Sequence, residues 1–288
     1  MAKALIVHNP ASGSLLNPGS EEHIRYYLES RGWDADLLST PFSGEVFHSR
    51  LPGADLVLVA GGDGTLNRVV NLVINEKDPP PLAVIPLGTA NDFAGSIGID
   101  GVDRGLERAL SGRPVEVDVG RIGEQYFINV AAGGFLCQVA HGTDRRLKKT
   151  LGRLAYYLKG LMEFSAIKPI ELEVEEEGRR VFGGEAFLFM ILNSPQAGNF
   201  PQLAPRASPR DGKMDLLLLK KCPAPELMGV VLKALSGRHI RDPQVLYIKG
   251  EAFSIRSPGS VVTDLDGEEG PPLPWEVEIL PGRVRFLA

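Results

Sequence analysis

An apolar run, Leu56 to Ala60, ends in Gly61-Gly62-Asp63-Gly64 and passes at once into a helix-like segment, Thr65 to Ile74. A strand that turns through glycines straight into a helix is half of a βαβ unit, so it commits this part of the chain to a layered α/β sheet. Glycines at such a turn let backbone N–H groups approach a ligand that a Cβ would block. The helix N-terminus adds unpaired donors and a partial positive charge, which suit phosphate. Asp63 is out of place in a plain anion cradle, because a carboxylate repels phosphate. A divalent metal between the two resolves the conflict. The competing reading is a tight turn with a surface aspartate. Neither GxxxxGK[ST] nor GxGxxG is present, since Leu66 or Asn67 fills the third glycine position of the latter.

The same rhythm extends over the first 120 or so residues. Ala4 to Val7, Asp36 to Leu38, Leu56 to Ala60 and Leu82 to Ile85 read as strands, and Glu21 to Ser30, Leu66 to Ile74 and Asp103 to Leu110 as helices. This pattern predicts a parallel, doubly wound sheet that binds ligands beyond the carboxyl ends of its strands. After Val115 the period changes to two. Val115-Glu116-Val117-Asp118-Val119 and Ile170-Glu171-Leu172-Glu173-Val174-Glu175 each alternate apolar with charged residues. Further short strands are expected near Val181 to Leu192, Lys213 to Leu219, Val245 to Ile248, Val261 to Leu265 and Val277 to Leu280. The second half therefore reads as a mostly antiparallel sheet or sandwich. The expected organisation is an α/β domain over 1–120 and a β-rich domain over 121–288. Whether the last strand returns to the first domain is open.

The net charge of −5 gives no nucleic-acid signature. No apolar stretch approaches the roughly 18–20 residues that span a bilayer. Met1 runs straight into a strand-like segment without a leader's cleavage region, and Cys137 and Cys222 are far apart in no metal spacing. A reduced, cytoplasmic location is expected. One long helix, about Thr143 to Ala166, repeats Leu147, Leu151, Leu154, Leu158, Leu161 and Met162 at helical spacing, with Arg145, Arg146, Lys148, Lys149 and Arg153 in its first turns. A core-packed helix with a solvated basic face is the plain reading, and contact with anionic headgroups the functional one.

Two more loops follow apolar strands: Asn9-Pro10-Ala11-Ser12-Gly13-Ser14, and Gly88-Thr89-Ala90-Asn91-Asp92. Taken singly, the first is an ordinary turn and the second a helix cap at Asn91 or Asp92. Together with Asp63 they place two carboxylates on neighbouring loops beside an expected phosphate, as metal-assisted phosphoryl transfer requires.

In this order, Asn9-Pro10 with Ser12-Gly13, Gly61-Gly62-Asp63-Gly64-Thr65-Leu66-Asn67 and Gly88-Thr89-Ala90-Asn91-Asp92-Phe93-Ala94 resemble the diacylglycerol kinase catalytic family. That family includes soluble bacterial lipid kinases and is related to sphingosine and ceramide kinases. The resemblance runs nearly the whole chain. It implies an α/β nucleotide domain, a β-rich domain, and an active site in the cleft between them. It implies that Asn9, Pro10, Ala11, Ser12, Gly13, Thr40, Gly61, Gly62, Asp63, Gly64, Thr65, Leu66, Asn67 and Thr89 bind ATP. Asp63 then helps hold Mg²⁺–ATP, Asp92 joins its acidic network, and Asp118 resembles a third member.

Thr263-Asp264-Leu265-Asp266-Gly267-Glu268 resembles the family's Asp-Gly-Glu motif, which makes Glu268 the catalytic base toward a lipid hydroxyl. Without the resemblance it reads as an acidic turn. Around Ala207-Ser208-Pro209-Arg210-Asp211-Gly212-Lys213, the resemblance implies a second, structural Mg²⁺ held by the Asp211 carboxylate and the Ser208 and Lys213 carbonyls. Three residues depart from the family pattern. Arg210 replaces one of a pair of acids, which lowers the expected metal affinity; Arg68 stands where an acid often follows the asparagine; and Asn199 stands where a Gly-Gly pair is usual. The five histidines share no ligand spacing.

The implied activity is an ATP- and Mg²⁺-dependent kinase acting on diacylglycerol or a related lipid. It would meet the membrane surface transiently, with no nucleic-acid partner. An edge strand leaves pairing with a second copy open. The rivals are an NAD kinase, which shares the Gly-Gly-Asp-Gly loop, and a catalytically silent nucleotide- or lipid-binding regulator.

Overall fold

A computed structural model describes residues 1–12, 21–135, 137, 168–198 and 200–288. Gly13, Ser14, His141, Asn199 and the helix expected over Thr143 to Ala166 lie outside these residues. The chain divides into two compact units, Met1–Asp118 with Pro281–Ala288, and Val119–Leu280.

In the first unit, β1 (Ala2–His8), β2 (Trp33–Ser39), β3 (Leu56–Gly61) and β4 (Leu82–Pro86) pair in parallel in the order β2-β1-β3-β4. Between and after them run helices α1 (Glu21–Glu29), α2 (Gly44–Arg50), α3 (Asp63–Val73), α4 (Asp92–Ser96) and α5 (Val102–Ser111). The apolar runs of β1 and β3 follow from burial on both faces of the sheet. Ala4, Ile6, Leu56 and Leu58 face one way and form a core with Ile24 and Leu28 of α1 and Leu106 and Ala109 of α5. The alternate residues Leu5, Val7, Val57 and Val59 have no exposed surface either.

The shorter α2 and α4 have different local causes. Ser43 caps α2 by accepting from the Val46 N–H at 3.3 Å. Helix α4 begins at a left-handed Asn91 with φ 52°, a conformation asparagine tolerates better than most residues.

Strand β5 (Pro114–Ile122) leads across the division between the units. The second unit then builds β6 (Gln125–Phe127), β7 (Val130–Gly134), β8 (Ile170–Glu176), β9 (Arg179–Leu192), β10 (Met214–Lys220), β11 (Val245–Gly250), β12 (Ala252–Arg256), β13 (Thr263–Leu265) and β14 (Glu268–Glu269). Helix α6 (Ala224–Ala234) and a 3₁₀ turn, Arg238–Arg241, separate β10 from β11. Pairing of β7, β8 and β10 with β9, and of β12 with β8, is antiparallel throughout. The long final strand β15 (Trp275–Leu287) starts in this unit beside β12 and ends in the first, where Phe286 pairs in parallel with Leu82.

Strand β10 shows why the apolar stretch Leu216 to Leu219 is unbroken. Leu216 and Leu218 enter one core with Phe189, Phe253 and Trp275, while Leu217 and Leu219 enter another with Leu227 and Val230 of α6. The Phe189 and Trp275 rings meet edge to face, centroids 5.4 Å apart. Cys137 and Cys222 are free and buried, and burial pushes the Cys137 thiol up to about 12. Among the described residues no helix is long and apolar enough to cross a membrane.

Candidate active site

Parallel pairing of β1, β3 and β4 delivers three loops to one edge of the first unit's sheet. Asn9 follows β1 directly. Its backbone N–H donates to the Ala60 carbonyl, and its Oδ1 accepts from the Ala11 N–H at 3.0 Å. The remaining Nδ2 group donates to Thr65 Oγ1 at 3.0 Å. One side chain thus ties the first loop to the glycine loop. Thr40 joins the same edge through its N–H to the His8 carbonyl, 2.9 Å.

The glycine loop is shaped by packing as well as by access. A Cβ on Gly61 would fall 2.6 Å from Thr65 Cβ, the residue that receives Asn9. A Cβ on Gly88 would fall 2.5 Å from Gly62 Cα, so the second and third loops touch backbone to backbone. Asn91 holds the third loop closed: its Oδ1 accepts the Gly88 N–H at 2.8 Å and its Nδ2 donates to the Gly88 carbonyl at 2.9 Å.

Helix α3 starts at Asp63 rather than at Thr65, so the carboxylate stands in the first turn, where the helix dipole favours it. Its Oδ1 accepts the Phe93 N–H of α4 at 3.2 Å. Oδ2 makes no hydrogen bond or ion pair among the described residues. Asp63 therefore links two loops with one oxygen and keeps the other available. Asp92, the first residue of α4, is buried; Gly62, Gly64 and Asn67 are half-buried; Leu66 packs inward; and Thr89 is exposed.

Asp118 is buried and accepts the Gly282 N–H at 2.8 Å, a contact that anchors the returning strand. Arg68 turns to the Phe42 carbonyl and lies 4.7 Å over the Phe42 ring. Among the described residues no three His, Cys, Asp or Glu side chains gather into a metal cage. A magnesium ion here fits Asp63 only in the manner usual for nucleotide enzymes, through one or two carboxylates plus phosphate oxygens.

In the second unit, Glu268 is exposed as the first residue of β14, opposite Leu265 in the hairpin with β13. Asp266 (φ 51°) and Gly267 (φ 94°) supply the two positive dihedrals of a type I′ turn. Asp264 Oδ1 accepts the Gly267 N–H at 2.8 Å.

Asp266 itself was not singled out from the sequence, where Asp-Gly reads as turn chemistry. Its carboxylate is buried and accepts three backbone N–H groups: Ile128 at 2.7 Å, Asn129 at 3.0 Å and Val130 at 2.7 Å. Its own N–H donates to the Val130 carbonyl at 2.9 Å. Asn193 braces the same segment from the far side by donating to the Ile128 carbonyl at 3.0 Å. The hairpin that carries Glu268 is thus pinned to the start of β7.

The loop expected to hold a second cation already contains one. Lys249 Nζ lies 2.5 Å from Asp211 Oδ2, 3.4 Å from Asp215 Oδ2 and 2.6 Å from the Arg206 carbonyl. Asp211 Oδ1 accepts the Lys213 N–H at 3.2 Å. Burial pushes the Asp215 carboxyl up, with Tyr247 and Lys249 pulling it back. Burial alone would lower the Lys249 ammonium, but Asp211 and Asp215 outweigh it and the net is upward. An ammonium this close to Asp211 leaves a poor seat for Mg²⁺ at Ser208, Asp211 and Lys213, because two cations would share one carboxylate.

Residues 3–122 match the diacylglycerol kinase catalytic domain, and residues 129–288 match the YegS C-terminal NAD kinase beta sandwich-like domain. A diacylglycerol kinase of Bacillus subtilis is 36% identical over 282 residues, covering 96% of this chain and 93% of the relative. One from Staphylococcus aureus is 36% identical over 277 residues, covering 94% and 88%. The chain belongs to the diacylglycerol kinase family, and it is a lipid kinase.

Among solved structures, a putative diacylglycerol kinase from Bacillus anthracis shares the fold with a TM-score of 0.83 at 24% identity, over 99% of this chain and 94% of that one. An NAD kinase from Archaeoglobus fulgidus is a more distant likeness in fold, with a TM-score of 0.55 at 14% identity, over 99% and 93%.

Proposed function

We propose that the protein transfers the γ-phosphate of ATP, held with Mg²⁺, to the free hydroxyl of diacylglycerol or a closely similar lipid. The observation that carries this reading is Asp63, at the N-terminus of α3, with Oδ1 on the neighbouring loop and Oδ2 open. The glycine loop and the first turn of α3 suit the phosphates, and Asn9 to Gly13, Thr40 and Thr89 suit the rest of the nucleotide. Asp63, with Asp92 on the adjoining loop, would hold the magnesium ion, which supplies charge neutralisation as the phosphoryl group moves. Asp118 has a structural duty toward Gly282 that suffices to explain its burial.

Glu268 would accept the lipid hydroxyl proton as that oxygen attacks the γ-phosphorus and ADP departs. Its exposure on a pinned hairpin supports the assignment: a general base has to reach its substrate, and it has to do so reproducibly. A cytoplasmic enzyme that visits the membrane for its substrate is consistent with this chemistry. The test is incubation with γ-labelled ATP and Mg²⁺ against dioleoylglycerol, sphingosine, ceramide and NAD in separate reactions. Phosphatidic acid is the expected product. Conversion of NAD to NADP with no lipid product would overturn the reading.

A further inference from the structure

Helix α6 has two apolar faces. Leu227, Val230 and Ala234 are buried against the sheet. Met228, Leu232 and Leu235, at spacings i, i+4 and i+7, are 37%, 59% and 47% exposed. At about 100° per residue these three fall within an arc of roughly 60°, well away from the buried arc. A helix needs one apolar stripe to pack against its own domain. A second, contiguous stripe in water marks a surface that meets something else.

The charges beside the stripe say what that is. The 3₁₀ turn that follows carries Arg238 and Arg241, both exposed and neither with a hydrogen bond or ion pair among the described residues. Lys233, on the helix, is neutralised by Asp242 at 2.5 Å. Glu226, the acid in the first turn of α6, lies about 160° round the helix from Met228, outside the exposed apolar arc, where it accepts from the Gln244 amide. The patch is therefore apolar and locally cationic on a chain whose net charge is −5.

A second copy of the chain fits this patch poorly. Three side chains fall far short of the roughly 800 Å² per partner of a stable interface. Self-pairing across a two-fold axis at this patch would also bring like guanidinium groups together.

We propose that the outer face of α6, with Arg238 and Arg241, docks the enzyme on an anionic lipid bilayer: the three apolar side chains enter the interface and the two guanidinium groups meet headgroup phosphates. This rests on the reading of the substrate as a membrane lipid, and its test is separable from that reading.

The experiment is sedimentation of the full chain with large vesicles of phosphatidylcholine, with and without phosphatidylglycerol, for wild type, Arg238→Gln/Arg241→Gln and Met228→Ser/Leu232→Ser/Leu235→Ser. Equal melting temperatures serve as the folding control. Wild type should bind the anionic vesicles and release them at high salt. The double arginine variant should bind about thirtyfold more weakly, which corresponds to about 1 kcal/mol per charge near an anionic surface. The triple variant should bind at least tenfold more weakly. In a parallel assay both variants should lose turnover on vesicle-embedded diacylglycerol and keep it on a soluble short-chain diacylglycerol.

Wild type that fails to bind anionic vesicles would overturn the proposal, as would variants that bind like wild type. Variants whose only change is a loss of dimer in solution would also overturn it, and assign the face to self-association. Vesicle binding that follows this pattern while no lipid is phosphorylated would refute the kinase reading and leave the docking surface standing.

Discussion

Asp266→Asn isolates a carboxylate that the structure makes central to the second unit. The substitution keeps size, shape and tolerance of the left-handed backbone at φ 51°. What it removes is charge and one acceptor. The native carboxylate accepts the Ile128, Asn129 and Val130 N–H groups at 2.7, 3.0 and 2.7 Å. An amide oxygen can serve the two donors that share Oδ1, but the amide NH₂ then faces the Ile128 N–H donor to donor. Leaving one buried N–H unsatisfied costs about 1–3 kcal/mol, and turning two charge-assisted bonds into neutral ones costs about 1 kcal/mol each. The sum is about 3–5 kcal/mol, or roughly 6–20 °C in melting temperature for a unit of this size. Hydrogen exchange read at the Ile128, Asn129 and Val130 amides localises the effect, since those amides should lose protection first. A variant that melts within about 1 °C of wild type with those amides still protected would refute the reasoning.

Gly88→Ala puts a Cβ 2.5 Å from Gly62 Cα and 2.7 Å from Asn91 Oδ1. It should part the two loops and weaken ATP binding at least tenfold in a nucleotide titration while the fold persists; unchanged affinity would contradict the loop packing. Lys249→Met strips the cation from Asp211 and from the fully buried Asp215. It should cost about 3 kcal/mol in urea unfolding, at the low end for a broken buried pair because Lys249 is partly exposed. The Lys249 pKa is raised in the folded state, so in wild type this contribution is fully present below the ordinary lysine value of 10.5 and fades only as pH climbs through the folded value. Instability that sets in near neutral pH would argue against it.

The parts of the fold legible in the sequence were those with a local signature. The strand–glycine–helix junctions mark β1, β3 and β4, and alternation marks β8, because burial on one or two faces writes itself into residue order. What escaped lacks such a signal. Strand β7, Val-Ala-Ala-Gly-Gly, has little intrinsic strand preference and exists because β9 and β13 pair with it on either side. Helix α6 carries its two apolar faces as a nearly uniform apolar run, which hides the period.

The candidate site divides in the same way. Its three loops could be found from glycines and strand ends, and their contact through Asn9–Thr65 and Gly62–Gly88 follows from parallel pairing. The roles of Asp266 and Lys249 could not be found that way. Each acts on partners more than thirty positions away; Lys249 stands in no motif, and the Asp-Gly-Glu motif that contains Asp266 does not name its backbone partners.

The central claim is that Glu268, on its pinned hairpin, takes the proton from a lipid hydroxyl while the first unit holds ATP. Single-turnover transfer from γ-labelled ATP to dioleoylglycerol, measured beside ATP affinity for wild type and Glu268→Ala, tests it most directly. Removal of a general base should lower the transfer rate by at least about a hundredfold and leave ATP affinity within about twofold. Transfer at the wild-type rate in the variant would contradict the account.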